Sequence, residues 1–152
     1  MSVDPQQLDE WLTPLIEKLS PRERRVLARE VARDLRIANR ERIKAQTNPD
    51  GTPFEPRTQL RGRRGAIRRK AMFTKLRTAK HLKIKTTADE AAVQFAGRVA
   101  KIARVHHYGL RDRVEPGGPM HKYARRELVG ITAVDKNRIA NSVLNHLTPP
   151  GS

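Results

Sequence analysis

The amino-acid sequence predicts an α+β fold: two N-terminal helices, a small antiparallel sheet with a long basic loop, a short central helix and a C-terminal helix. Three observations carry this. Apolar residues recur with a helical period near both ends of the chain. In the middle, one run has a period of two residues and is followed, after a turn, by a second short apolar run. Between the N-terminal helices and that pair lies an arginine-rich stretch with neither period.

Residues 5–19 place Leu8, Trp11, Leu12, Leu15, Ile16 and Leu19 in one helical stripe. Ser20-Pro21-Arg22-Glu23 reads as a capping box with proline in the first helical position, which opens a second helix from Pro21 to about Ala45. Leu27, Val31, Leu35 and Ala38 form its apolar side, and its alternating Glu and Arg residues read as a solvated face. Asn48-Pro49-Asp50-Gly51 is a turn signal, because proline fixes φ and glycine supplies φ > 0. Residues 57–71 hold seven basic residues and two glycines and read as an exposed arm, after which Met72, Phe73 and Leu76 return to the core. Residues 81–86 put Leu82 and Ile84 on one side and Lys83 and Lys85 on the other, as a half-buried strand does. A turn at 88–90 and a partner strand at 91–96 complete a hairpin. Val99, Ile102, Ala103 and His106 have helical spacing over 98–108, and Gly109 ends that helix. Residues 110–120, with two glycines and two prolines, read as a loop, and 121–129 as a short helix or an extended edge. The last helix runs from Ala133 to Leu147, with Thr132 and Asp135 as a second capping box and Ile139, Val143 and Leu147 as its apolar line. These elements suit one domain over 1–147, a mobile basic arm at about 57–71 and a C-terminal tail at 148–152.

Composition narrows the function. The chain has 152 residues, no cysteine and a formal charge of +16. Without cysteine there are no disulfides, thiolate nucleophiles or cysteine-held metals. No apolar run is long enough to span a membrane, and the start, MSVDPQQLDEW, is too acidic for a secretory signal. Residues 1–50 carry ten Lys/Arg against nine Asp/Glu, whereas 51–152 carry twenty-two against seven. Between 57 and 85 there are twelve basic residues and no acid. Such a block repels itself and tends to stay disordered until an anionic partner arrives, or it remains a solvated loop. Arg57, Arg61, Arg63, Arg64, Arg68, Arg69 and Lys70 are the candidate contacts to a partner or polyanion.

Catalytic patterns are missing. The chain contains no GxSxG, GxxxxGK[ST], GxGxxG or HExxH. In Glu115-Pro116-Gly117-Gly118-Pro119 the prolines remove amide donors that a phosphate cradle needs. The adjacent His106-His107 pair projects about 100° apart on a helix, so one metal rarely takes both; one ring is expected in the core and the other in solvent. The expectation is a protein that is not an enzyme and has no cofactor or metal.

Several stretches together resemble one family. They are Asn48-Pro-Asp-Gly-Thr-Pro-Phe54, Met72-Phe-Thr-Lys-Leu-Arg77, Phe95-Ala-Gly-Arg-Val-Ala-Lys-Ile-Ala-Arg104, Val105-His-His-Tyr-Gly-Leu-Arg-Asp112 and Tyr123-Ala-Arg-Arg-Glu-Leu-Val-Gly130. Their order and spacing resemble the virion morphogenesis, or tail completion, proteins of contractile-tailed bacteriophages; Ala124 departs from the pattern, which has proline there. The resemblance implies a non-enzymatic structural protein that completes the head-proximal end of the tail and allows head–tail joining. It further implies a homo-oligomeric ring, six-fold, with the tail tube or sheath and the head connector as partners. Its place would be the virion tail or neck, after assembly in the host cytoplasm, with no membrane. A closed ring needs two different patches on each subunit, and Trp11 and the Tyr108–Leu110 corner are the candidates beside simple intramolecular packing. The alternative is a basic nucleic-acid-binding protein with a disordered arm. Salt separates the two, since a DNA binder neutralising Z phosphates shows a log–log slope of about −0.9Z; non-specific DNA contact is compatible with either.

Overall fold

Helix α2 (Pro21–Lys44) is the element on which the rest is built, and its 24 residues span about 36 Å at 1.5 Å per residue. Its start is set locally, as its sequence predicts. Glu23 N donates to Ser20 Oγ at 3.1 Å and Ser20 N donates to Glu23 Oε2 at 2.9 Å, with Pro21 in the first helical position. The computed structural model describes residues 2–3, 11–57 and 71–147. Leu8 and all of 58–70 and 148–152 lie outside the described residues.

The other elements are β1 (Ser2–Val3), α1 (Leu12–Glu17), β2 (Leu82–Thr86), β3 (Ala91–Phe95), α3 (Gly97–Tyr108), β4 (Arg111–Arg113), β5 (Met120–Lys122) and α4 (Ala133–Leu147). Strands β1, β3 and β2 form one antiparallel sheet in that order, and β4 and β5 form a separate ribbon. The hairpin register sets Leu82 opposite Phe95 and Ile84 opposite Val93, so one face carries the apolar set while Lys83 and Lys85 lie on the other. That is the alternation read from the sequence.

Two apolar clusters lie along α2. In the first, Leu27, Val31, Ala32 and Leu35 of α2 meet Leu12 of α1, Leu82 and Val93 of the sheet, and Ile139 and Val143 of α4. In the second, Ile43 at the end of α2 meets Phe54, Met72, Leu76, Ala103 and Leu128. Phe95 packs against both. Truncating a fully buried side chain such as Leu35 or Leu82 to alanine costs about 2–5 kcal/mol.

Between the clusters sits a polar junction. Asn39 is fully buried and donates to Leu35 O at 2.7 Å, while its Oδ1 accepts from Gly130 N at 2.9 Å and from Arg42 Nη2. Arg42 also donates to Gly130 O at 2.8 Å and to Asp135 Oδ2 at 2.9 Å. Asp135 is buried and is part of the α4 capping box, accepting from Thr132 N at 2.9 Å while Asp135 N donates to Thr132 Oγ1 at 3.1 Å. One guanidinium thus ties the end of α2 to the start of α4.

Three details differ from the sequence reading. Residues 110–120 are not a plain loop: β4 and β5 pair, with Arg111 opposite Lys122 and Arg113 opposite Met120. Their strands have three residues each and are mostly charged, so no apolar alternation marks them. Ile102 is 50% exposed, because α3 turns Val99 and Ala103 toward the second cluster and leaves Ile102 at the edge of the stripe. Neither His106 nor His107 is left to solvent; both are half-buried.

Candidate docking face

The arm's two roots are held by side chains acting on backbone groups. On the N-terminal side, Arg126 donates from Nε to Glu55 O at 2.8 Å and from Nη2 to Pro56 O at 3.1 Å. On the C-terminal side, the Gln46 carboxamide donates to Met72 O at 2.9 Å and accepts from Met72 N at 2.8 Å, as a paired strand would. Gln46 itself has φ +59 just beyond α2, a left-handed conformation that turns the chain back. Phe54 and Phe73 meet edge to face with ring centroids 5.8 Å apart, so the two roots lie side by side.

The turn before the first root is fixed from the far end of the chain. Asn48 N donates to Thr52 O at 2.8 Å, and Asn48 Oδ1 accepts from Glu127 N at 2.8 Å. Gly51 supplies the φ of +87 that the turn requires. Hydrogen bonds from the Thr52 hydroxyl and amide hold the Asp50 carboxyl below its usual range. Pro49 presses on Gly130 so closely that a Cβ there would lie 2.5 Å from Pro49 Cγ.

An aromatic file leads from the roots to the corner after α3. Phe73 meets His106 at 5.0 Å, His106 meets Tyr123 at 4.8 Å, and Tyr123 meets His121 at 4.7 Å, all edge to face. Burial, with the Arg126 and Arg57 charges nearby, pushes His106 down to about 4. Burial also lowers His107, against the pull of Glu127. Arg126 is lowered by burial too. Its ionised form remains the dominant one at neutral pH, which suits its bonds to two carbonyls. Gly109 closes α3 with φ +66, and its bare Cα faces Arg125 N, which a Cβ would approach to 2.9 Å.

Of the residues singled out from the sequence, Arg57 is exposed at the first root. Arg61, Arg63, Arg64, Arg68, Arg69 and Lys70 lie outside the described residues. Tyr108 is 60% exposed and Leu110 38% exposed, flanking Gly109 on the end of the molecule that also carries the arm's roots. Trp11, also half-exposed, belongs elsewhere: it precedes α1, whose Leu12 enters the first cluster. The sequence reading missed Gln46 and Arg126, and it read Asn48 only as a turn residue; their bonds to Met72, Glu55 and Glu127 span 26 to 79 residues and leave no local pattern. Among the described residues, no group of three His, Asp or Glu side chains converges as metal ligands would. No described helix is long and apolar enough to cross a membrane.

A family model described as the phage virion morphogenesis family matches residues 3–148. The chain belongs to that family. It is 40% identical over 144 residues to tail completion protein S of Escherichia phage P2, covering 93% of this chain and 95% of that one. No solved structure matches the chain. The stretches that resembled the virion morphogenesis family converge in space. Residues 48–54 form the turn and the approach to the first root, 72–77 the second root, 95–112 the end of β3, α3 and the corner, and 123–130 the segment behind them.

Proposed function

We propose that this chain is a tail completion protein that acts without catalysis or cofactor. It occupies the head-proximal end of the phage tail as a six-fold ring and presents the surface to which the head connector binds. The chain acts as one domain over 1–147 with the tail 148–152. The observation that carries the reading is that both arm roots are fixed to the scaffold, side by side, on the end that exposes Tyr108 and Leu110. An arm with anchored roots meets a partner at a defined place, which a freely tethered charge run does not. In this reading Arg57, Arg61, Arg63, Arg64, Arg68, Arg69 and Lys70 contact the tail tube or connector, and Trp11, Tyr108 and Leu110 lie between subunits. The protein resides in the virion tail after assembling in the host cytoplasm.

Replacing Arg61, Arg63, Arg64, Arg68 and Arg69 together by Gln tests it. Exposed substitutions change stability by no more than about 0.5 kcal/mol each, so folding should survive. Electron microscopy of lysates should then find finished tails and DNA-filled heads that fail to join. Normal infectious particles would remove the arm from the mechanism. Tails of undefined length would move the action from joining to termination of tube growth.

A further inference from the structure

We propose that the outward face of the β4–β5 ribbon binds the phosphate backbone of duplex DNA. This goes beyond the joining role and rests on different residues from the arm, so either contact can fail while the other stands.

Register puts Arg111, Arg113, Met120 and Lys122 on one face of the ribbon, and all four are exposed. Leu110, Asp112, His121 and Tyr123 take the other face, where Tyr123 packs on His106. The outward face therefore carries three cations and no carboxylate. Arg113 donates to Gly118 O at 2.9 Å, which orients its guanidinium and leaves its other donors available. Two of the three nearby acids are engaged or turned away. Asp112 lies on the opposite face and accepts from Arg113 N at 2.8 Å. Glu127 pairs with Arg125 at 2.9 Å. Glu115 is exposed in the connecting turn with its side chain lying over Gly118, so it is the one carboxylate close to Arg113 that a phosphate must compete with.

Geometry favours DNA among anionic partners. Among the described elements the ribbon's strands contact chiefly each other, and its inner face rests on the body through Tyr123 while the Arg111, Arg113 and Lys122 face is exposed. A two-stranded ribbon about 5 Å between strand axes enters a major groove about 12 Å wide. A second copy of this face is a poor partner, because it would bring the same three cations against their equals. With Met120 the only uncharged member, the face positions a backbone and has little with which to specify a sequence.

The test measures binding of the full chain to a labelled random-sequence duplex by fluorescence anisotropy, from about 50 to about 200 mM salt. The triple variant Arg111→Gln, Arg113→Gln, Lys122→Gln should lose about 2.7 from the slope of log K against log salt, from three phosphates at about 0.9 each. The triple variant Arg111→Lys, Arg113→Lys, Lys122→Arg should keep the wild-type slope. So should the equally discharged control Arg22→Gln, Arg25→Gln, Arg29→Gln, whose residues are exposed on α2. Should the first triple variant not fold, Arg111→Gln and Lys122→Gln singly should each remove about 0.9. A wild-type slope in the discharged ribbon, an equal loss in the α2 control, or competition by poly-glutamate as strong as by unlabelled duplex would each overturn the proposal. The last result would assign the face to an acidic polypeptide.

Discussion

Replacing Asp135 by Ala should be among the most damaging single changes in this protein that leave the apolar core untouched. The carboxylate is 4% exposed and serves two partners through Oδ2: the Arg42 guanidinium and the Thr132 amide at the start of α4. Its removal leaves Arg42, whose side chain is 16% exposed, with only Asn39 Oδ1 and Gly130 O as acceptors. Breaking a buried pair by removing one partner costs about 3–5 kcal/mol, and a lost helix cap about 0.5–2 kcal/mol. The two overlap at one oxygen, so about 4 kcal/mol is expected rather than their sum. With an m-value near 2 kcal/mol/M, the urea midpoint should fall by about 2 M. Asp135→Asn keeps the shape and one acceptor and should lose about half as much. The double variant Arg42→Met, Asp135→Leu should recover part of the loss, because no charge is then stranded. Circular dichroism of urea titrations reads all three. A loss below about 1 kcal/mol for Asp135→Ala would refute the reasoning, because it would mean that Arg42 reaches water in the native state.

Two further outcomes follow from the roots and the aromatic file. His106 is pushed down to about 4 in the folded chain from an ordinary value of 6.5, so between those values the unfolded chain binds the extra proton and the folded chain does not. Stability should therefore be complete above pH 6.5 and fall as pH drops toward 4; partial exposure reduces the size to about 1–2 kcal/mol. His106→Phe should flatten that part of a stability–pH profile, and an unchanged slope would show that the ring does not carry it. Arg126→Met should free Glu55 O and Pro56 O and cost about 1.5–3 kcal/mol. Amide exchange over residues 53–57 should speed up more than over α4, and uniform acceleration would deny Arg126 its local role.

What was legible in the sequence was local. Ser20 with Glu23 and Thr132 with Asp135 are capping pairs three residues apart, and both form as their spacing predicts. Strand β2 was legible because its partner face is buried and its period is two. Gly109 was legible because a left-handed helix end favours glycine. The junction was not. Asn39 and Arg42 read as ordinary polar residues of one helix and Asp135 only as a cap, and a packing of residues 93 apart is what gives Asp135 its guanidinium partner. Nothing in the sequence sets Arg126 apart from the chain's other cations, yet it is 5% exposed, because two backbone carbonyls 70 and 71 residues back replace its water. Ile102 shows the limit of a stripe on a helix of twelve residues, where a neighbour's position decides which edge is covered.

The distribution of charge bears on how copies could meet in the proposed ring. A closed ring pairs two different patches, repeated around the axis. The end with Tyr108 and Leu110 carries Arg57, Arg111, Arg113, Lys122 and Arg125 on its surface. Two such ends repel, so this end cannot be both halves of the contact. Trp11 has the opposite surroundings in sequence: residues 1–19 include Asp4, Asp9, Glu10 and Glu17 against Lys18 alone. An exposed tryptophan in an acidic stretch of sequence and an exposed tyrosine and leucine on an arginine-rich end are matched in apolar character and opposite in charge. The two patches proposed for the subunit contact are thus unlike one another in the way that a head-to-tail ring requires. The ribbon and the two roots at Pro56 and Met72 share the basic end, and the cations there that the ring contact does not use would be left for an anionic partner that is not another subunit.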